Sequence, residues 1–358
     1  MFSYRNAKHA LPAQTGLHLG RRTAITQLAA LALAPVADAF AANAKELVEI
    51  PLLMTPINSG VYNAYAVMQS RVEAFEARIR PIVYETGGFN YNVALMAKSR
   101  DKWANTMFGS ATVLEWAART GVKPFYEAPL EAVRDFRIIG GMGPTSNFWL
   151  TFNPNIKTPR DFAGKAVATG LLTQNEWGMY QRMLLDGWGI TRKLKSFSPL
   201  NPGANVEAML DGRVDVCTMV SFFAPGVAEI SLPAPFKTLQ SSKRPYYYVN
   251  IPPEMLEGYN KRTGSIFQIR NWPRNSYPNQ PEPFSTFGDD MSVSVHKSFP
   301  SDLAYEFAKL WVRMAPTVAK YNSLGRIWTP DVIAGPAKRV PEQVHPGALK
   351  AFKELNLA

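Results

Sequence analysis

Two hydrophobic rhythms alternate along this chain. Short apolar runs, as in buried strands, give way to small polar loops, then to stretches with apolar residues three and four positions apart, the spacing of a helix face. Residues 47–54 form the first run, apolar enough to predict a strand buried on both faces. The loop Thr55-Pro56-Ile57-Asn58-Ser59-Gly60 follows. Val61, Tyr65, Met68, Val72 and Phe75 then fall at spacings of 4, 3, 4 and 3, one side of a helix that Asn58 or Ser59 can cap. The plan repeats with a strand at 81–85, the loop Thr86-Gly87-Gly88 and a helix from about Asn90. It repeats again with a strand at 104–108, Gly109-Ser110 and a helix running through Glu115. Strand, small polar loop, helix is the grammar of an open parallel sheet, where ligands meet the loops at the carboxyl ends of the strands.

A fourth strand is predicted at 137–141 and an extended crossing segment at 147–152. Residues 156–188 then give the same plan in more detail. Thr158 can cap a short helix with Pro159 in its first turn, Gly164 suits a left-handed turn, 166–168 is a small-residue strand, and Gly170 ends it. Thr173 and Glu176 stand at capping-box spacing, ahead of a helix with Trp177, Tyr180, Met183, Leu184 and Trp188 on one apolar side. The free N–H groups of 174–177 suit an anion. Residues 206–210 read as helix, 214–220 as a buried strand holding Cys217, and Ser221-Phe222-Phe223 as another strand-end loop. Pro, Tyr, Asn and Arg without periodicity over 243–290 predict an irregular excursion. Residues 291–295 alternate small polar and apolar side chains and read as the return crossing, followed by an amphipathic helix over 302–314. Pro330, Pro336, Pro341 and Pro346 predict a tail that wraps the surface before a last helix from about Ala348. No internal repeat of fixed period is found.

Four passages together resemble one family. Asp161-Phe-Ala-Gly-Lys-Ala-Val-Ala-Thr-Gly170 is similar to the D-L-x-G-K-x-V-x-x-G opening of the second lobe in bacterial solute-binding proteins. Tyr84-Glu-Thr-Gly-Gly-Phe-Asn-Tyr-Asn92 resembles a T-G-G-S-x-E-N loop. Leu210-Asp-Gly-Arg-Val-Asp-Val216 resembles an x-D-G-x-I-D-A passage, and His345-Pro-Gly-Ala-Leu-Lys-Ala-Phe-Lys-Glu354 a closing H-P-G-A helix. In that order they resemble the TAXI family, extracytoplasmic receptors of one class of TRAP transporters, over nearly all of the chain after its N-terminal segment. The resemblance implies an α/β, two-lobed periplasmic-binding-protein type II fold: two mixed sheets with flanking helices and a cleft between lobes. Lobe 1 is expected at 42–148 and 294–358 and lobe 2 at 149–293, with crossings near 147–152 and 291–296. The resemblance also implies a small organic anion as ligand, a TRAP-type membrane permease as partner, a periplasmic location and no enzymatic activity. Two departures stand out. Phe89 and Tyr91 replace the family's serine and glutamate, and Leu172-Thr-Gln-Asn-Glu-Trp177 replaces a Ser-Gly-Thr-like loop.

Residues 1–41 read as an export signal. Arg21-Arg22 precedes an uncharged run over 23–37, too short for a membrane span of about 20 apolar residues, and Ala39-Phe40-Ala41 is a cleavage site. The paired arginines suggest the twin-arginine route, although Ala24 stands where a phenylalanine is usual. Removal leaves roughly 320 residues, room for two lobes of about 150 each. Thirty-nine Lys and Arg against 28 Asp and Glu give a formal charge of +11, which favours anionic partners. The basic residues form no stripe, so nucleic acid is not expected as a partner. Cys217 is the single cysteine and reads as an inert buried thiol. After cleavage His296 and His345 lack a second ligand at metal spacing, and Asp289-Asp290 lacks the spread of oxygens that calcium needs. No nucleophile elbow, Walker loop or dinucleotide fingerprint occurs. No metal, cofactor or catalytic group is expected.

Convergence of the polar loops is the remaining chemistry. The candidate ligand residues are Thr55, Asn58, Ser59, Gly60 and Tyr62; Thr86, Gly87, Gly88, Phe89 and Asn92; Ser110; Thr173, Gln174, Asn175, Glu176 and Trp177; Ser221 and Phe222. Helix N-termini aimed at one cleft each contribute roughly 0.3–1 kcal/mol toward an anion. Phe89, Trp177 and Phe222 would suit an aromatic or branched acid, or else pack as core. Glu176 has two outcomes: silent if it caps its own helix, selective if turned inward, where it repels a dicarboxylate and welcomes an amine. The expectation is a monomeric receptor that closes about a hinge. The alternatives are the receptor of an ATP-driven importer, a sensor's binding subunit, or an exported enzyme with Glu176 as base.

Overall fold

The computed structural model describes residues 47–57, 59–226 and 230–358; the expected export signal and Asn58 lie outside the described residues. Strand β1 (Val48–Leu53) pairs in parallel with β2 (Ile79–Tyr84) on one side and β3 (Met107–Ala111) on the other. Helices α1 (Gly60–Arg71), α2 (Phe89–Lys98) and α3 (Thr112–Thr120) follow them in turn. The helical face read from the sequence is the buried one: Val61, Tyr65 and Met68 in α1, continued by Val72. Ser59 caps this helix, its hydroxyl accepting from the Tyr62 N–H at 3.0 Å, a contact typically worth about 1 kcal/mol. Strand β1 is not buried on both faces: Ile50 and Leu52 are buried, but Glu49 is exposed, as its charge requires.

The expected strand at 137–141 and crossing at 147–152 are one 16-residue strand, β4 (Phe136–Thr151). Its first part pairs antiparallel with β12 (Asp290–His296) and its second with β7 (Val216–Phe223). The change falls between Pro144, opposite Asp290, and Thr145, opposite Phe222. Hydrogen bonding is therefore continuous through β4, where two separate sheets were expected. Order within the two halves is nonetheless the same. The first runs β2-β1-β3-β12-β4. The second runs β6 (Ser196–Pro199), β5 (Ala166–Thr169), β7, β4 and β11 (Phe284–Gly288). In each, two parallel pairings flank the first strand, and an antiparallel strand arriving from the other half takes fourth place. That is a two-lobed type II plan, with 104–108 and 214–220 on opposite sides of it.

Three other readings shift. Residues 291–296, expected as the return crossing, lie in β12, between β3 and β4; alternation marks a strand without saying which sheet it joins. Gly109-Ser110 and Ser221-Phe222-Phe223 are strand residues rather than loops. Small residues fit β3 because the Phe89 ring occupies the space above Gly109, where a Cβ would lie 2.1 Å from Phe89 Cε1. Finally, 243–290 is ordered. After α4 (Tyr180–Gly187), α5 (Pro202–Leu210), β8 (Ile230–Ser231) and α6 (Ala234–Ser241) come β9 (Tyr247–Tyr248), α7 (Pro253–Thr263), β10 (Gln268–Trp272) and β11. Tyr248, Tyr277 and Phe284 pack around Phe148 with ring centroids 5.1–5.9 Å apart, so ring contacts replace periodicity there. After β12 the chain continues in the first half as α8 (Ser301–Tyr321), and α9 (Pro346–Glu354) follows, capped by His345, whose Nδ1 accepts from the Gly347 N–H.

Candidate functional site

The loop ends of the two halves meet. Gly88 has φ +120°, and a Cβ there would lie 3.0 Å from the Thr173 carbonyl oxygen and 3.7 Å from Gln174 Cα. Only a residue without a side chain lets these loops approach so closely. Behind Gly88 the strand ends are tied together. Thr86 Oγ1 donates to Met54 O and accepts from the Gly88 N–H at 3.2 Å. Asn92 Nδ2 donates to Met54 O at 2.8 Å and Leu53 O at 3.1 Å, and the Thr55 and Ser59 hydroxyls are 2.5 Å apart. Thr55, Ser59, Thr86, Gly88 and Asn92 thus gather on one side, and Gly88 brings that side against Thr173 and Gln174. Gly60 starts α1 with open space around it, Gly87 lies beside Tyr91, and Tyr62 packs against the core cluster that holds Val61, Tyr65 and Met68.

On the other side the expected Thr173–Glu176 capping box does not form. Gln174 is the N-cap, without a side-chain bond, and the helix opens with a π turn at Asn175–Met179. The Gly170 N–H takes the Trp177 carbonyl at 2.6 Å, and a Cβ on Gly178 would lie 2.2 Å from Gly170 O. Helix and strand end are clamped so closely that the turn widens. Gln181 Nε2 satisfies the Glu176 carbonyl at 2.7 Å. A capping box does form at Thr158 and Asp161.

Released from the cap, Glu176 turns inward and is 4% exposed. Its Oε2 accepts from Thr145 Oγ1 at 2.9 Å and Asn147 Nδ2 at 2.7 Å, and its Oε1 from Asn175 Nδ2 at 3.2 Å. Asn175 Nδ2 also donates to the Tyr180 hydroxyl at 3.2 Å, which donates to Asp289 Oδ2 at 2.5 Å. Asp289 further accepts from the Val113 N–H at 2.9 Å, at the start of α3. Thr145 completes the circuit: its N–H reaches Asp289 O at 2.8 Å, and its hydroxyl accepts from the Asp289 N–H at 3.0 Å. A polar network therefore joins the point where β4 changes partner to the point where β11 gives way to β12.

Burial, then the charge of Asp289, holds the Glu176 carboxyl well above the usual carboxylate range, against the pull of Asn147 and Thr145. Burial likewise raises Asp289, opposed by its bonds from Tyr180 and Val113. Arg270 of β10 is the cation bearing on Glu176, but it is already engaged. Its Nε donates to Thr145 O at 3.2 Å and its Nη2 to Asp290 Oδ1 at 3.1 Å.

The remaining candidates lie apart. Ser110 donates to Glu115 Oε1 of α3 at 2.7 Å. Ser221, paired across the strands with Ser146, shares a 2.6 Å hydrogen bond with the Tyr277 hydroxyl on the face of β7 opposite Phe222. Phe89 is core, Trp177 packs on the apolar cluster around Phe148 and Phe222 on the one that holds Tyr65 and Trp311; no ring pair among the described residues joins the three into one wall. Thr145, Asn147, Tyr180, Arg270 and Asp289 were missed as site residues. The available signal was Thr145-Ser146-Asn147, three polar residues in a row inside a strand buried almost throughout. Open recesses lie elsewhere, beside Arg78 and Arg313 and beside Glu115 and Arg119.

A model described as NMT1-like family matches residues 53–355. No curated protein matches the chain. Among solved structures, R. palustris Rpa4515 with adipate is similar over 86% of this chain and 95% of that one, at TM-score 0.50 and 12% identity. A periplasmic transporter (14% identity, 86% and 97% coverage, TM-score 0.46) and the periplasmic binding protein BugD (12%, 87% and 98%, 0.45) are also similar. At such identity the likeness to Rpa4515 speaks for the fold.

Proposed function

Because the chain belongs to the NMT1-like family, we propose that it is a periplasmic receptor that closes over a small organic anion and presents it to a membrane transporter. The observation that carries this reading is the meeting of Gly88 with Thr173, loop end against loop end, in a fold whose halves share one strand order. A solute held there faces the N-termini of α2 and of the π turn, whose first N–H groups have no partner within the helix. The lobe boundaries we favour are the partner changes at Pro144–Thr145 on β4 and at Asp289 between β11 and β12, a few residues before 148 and 294. The TAXI-like motifs favour a TRAP-type permease over an ATP-driven importer, and a monomeric receptor exported by the twin-arginine route. No helix among the described residues is long and apolar enough to cross a membrane.

The acid pair Glu176 and Asp289 is the one feature favouring an exported enzyme on this fold. Both carboxylates are already engaged by protein donors, so binding is the better reading. A thermal-shift screen of the mature protein against aromatic acids, dicarboxylates and amino acids tests it. A solute at 100 times its Kd adds about 2.7 kcal/mol. Stabilisation by an acid without turnover is expected; no response to any acid overturns the anion-receptor reading.

A further inference from the structure

We infer that the solute carries a protonated amine, and that Glu176 together with the Asn147 side-chain oxygen selects it. This rests on the receptor reading and adds the chemistry of the ligand's second end.

The junction between the halves has more acceptors than donors. Asn147 commits its Nδ2 to Glu176 Oε2 and Thr145 Oγ1, leaving its Oδ1, fully buried, with no partner. Against Glu176 as the anion, its state beside a bound ammonium, a flipped amide would set oxygen against carboxylate, so the amide nitrogen faces Glu176 in the bound state. Gln181, also fully buried, commits its Nε2 to the Glu176 carbonyl and leaves its Oε1 without a partner. The Asn147 orphan stands beside the buried Glu176 carboxylate, and the Gln181 orphan belongs to a side chain tied to the Glu176 main chain; a buried acceptor left unpaired costs about 1–3 kcal/mol. A pocket built for an anion at this point would show the reverse, surplus N–H and O–H groups.

The groups facing Glu176 are Thr145 and Asn147 from β4, Asn175, Tyr180 and Gln181 from its own helix, Asp289 from the return segment and Arg270 from β10. The one cation among them is spent on Asp290 and the Thr145 carbonyl. An ammonium offers three donors and a positive charge, matching one carboxylate and a neighbouring amide oxygen. Without it, two buried carboxylates linked through Asn175 and Tyr180 are best served by retaining a proton. An arriving ammonium removes the need for that proton. Binding should therefore release a proton to solvent, and no covalent bond changes.

The test uses chains of matched length that differ at one end: 5-aminopentanoate against glutarate and 6-aminohexanoate against adipate. Melting shifts are read first, then calorimetry in two buffers of different ionisation heat. The expected result is stabilisation by an amino acid at concentrations where its matched diacid gives none. Proton release on binding should accompany it, as should loss of the preference by about tenfold in Glu176→Gln. Diacids binding as well as or better than their amino partners would overturn the inference while leaving the receptor reading intact. No response to either series would count against both. If Glu176→Gln does not fold, proton release by the unmodified protein decides, and its absence sinks the proposal.

Discussion

Glu176 stands three residues after Thr173, and that spacing alone predicts a capping box. Such a cap contributes about 1 kcal/mol. The structure instead gives the carboxyl Thr145 and Asn147, about 30 positions earlier in the chain, as buried partners worth about 1 kcal/mol each. Local spacing was legible; the competing partners were not, because the β4 register that delivers them is a long-range property. Burial has a pH consequence. The folded carboxyl binds its proton more tightly than the unfolded one, whose pKa is about 4.3. Its contribution to stability is thus full below about pH 4 and lost as pH rises through the folded value, and raised Asp289 adds in the same direction. Glu176→Gln removes one titration, so its melting temperature relative to the parent should rise between about pH 5 and about pH 8.5, at roughly 2–4 °C per kcal/mol. A difference that shrinks over that interval would show that the acid is stabilised as the anion.

At the scale of elements, strands and helices were legible wherever period and punctuation agreed. The α1 face, the Thr158 cap, the Gly164 turn and Cys217 in a buried strand all stand as read; the thiol is pushed up to about 12 by burial. Errors cluster at small residues. Gly109, Ser110 and Ser221 were read as loops because sequence cannot show a neighbour's ring or hydroxyl filling the space beside them. The π turn is the sharpest case, since it depends on the close approach of Gly170 and Gly178. Gly178→Ala would drive a methyl to 2.2 Å from Gly170 O and 2.4 Å from Leu171 O. A loss of about 1–3 kcal/mol in chemical denaturation is expected, as for overpacking. Gly60→Ala is the control: its Cβ meets nothing within 4 Å, so stability should hold or rise by about 0.5–1 kcal/mol. Equal losses at both positions would mean that the clamp does not set the turn.

For the whole molecule, the matching order of the two halves had no trace as a sequence repeat, because hydrogen-bond topology conserves strand order without conserving spacing. Each half borrows a strand from the other. Thr145 and Asp289 face each other where those exchanges occur, joined by two bonds, Thr145 N–H to Asp289 O and Asp289 N–H to Thr145 Oγ1. Opening of the cleft is expected to bend the chain at these two places, since β12 is held on both sides by β3 and β4, and β4 is paired with β12 before the change and with β7 after it. The Thr145 hydroxyl serves both jobs, fixing the return strand and holding Glu176. Thr145→Val keeps the shape and deletes the oxygen, leaving the Asp289 N–H without its side-chain acceptor and Glu176 with one donor fewer. The expected cost is about 2–4 kcal/mol. The loss should also travel. Hydrogen exchange should quicken at both loop ends, 86–89 and 171–175, while β1 and β2 keep their protection. Quickening confined to the neighbours of position 145 would show that the junction is a local brace. Quickening at both loop ends together would mark it as the hinge through which the two halves open and close.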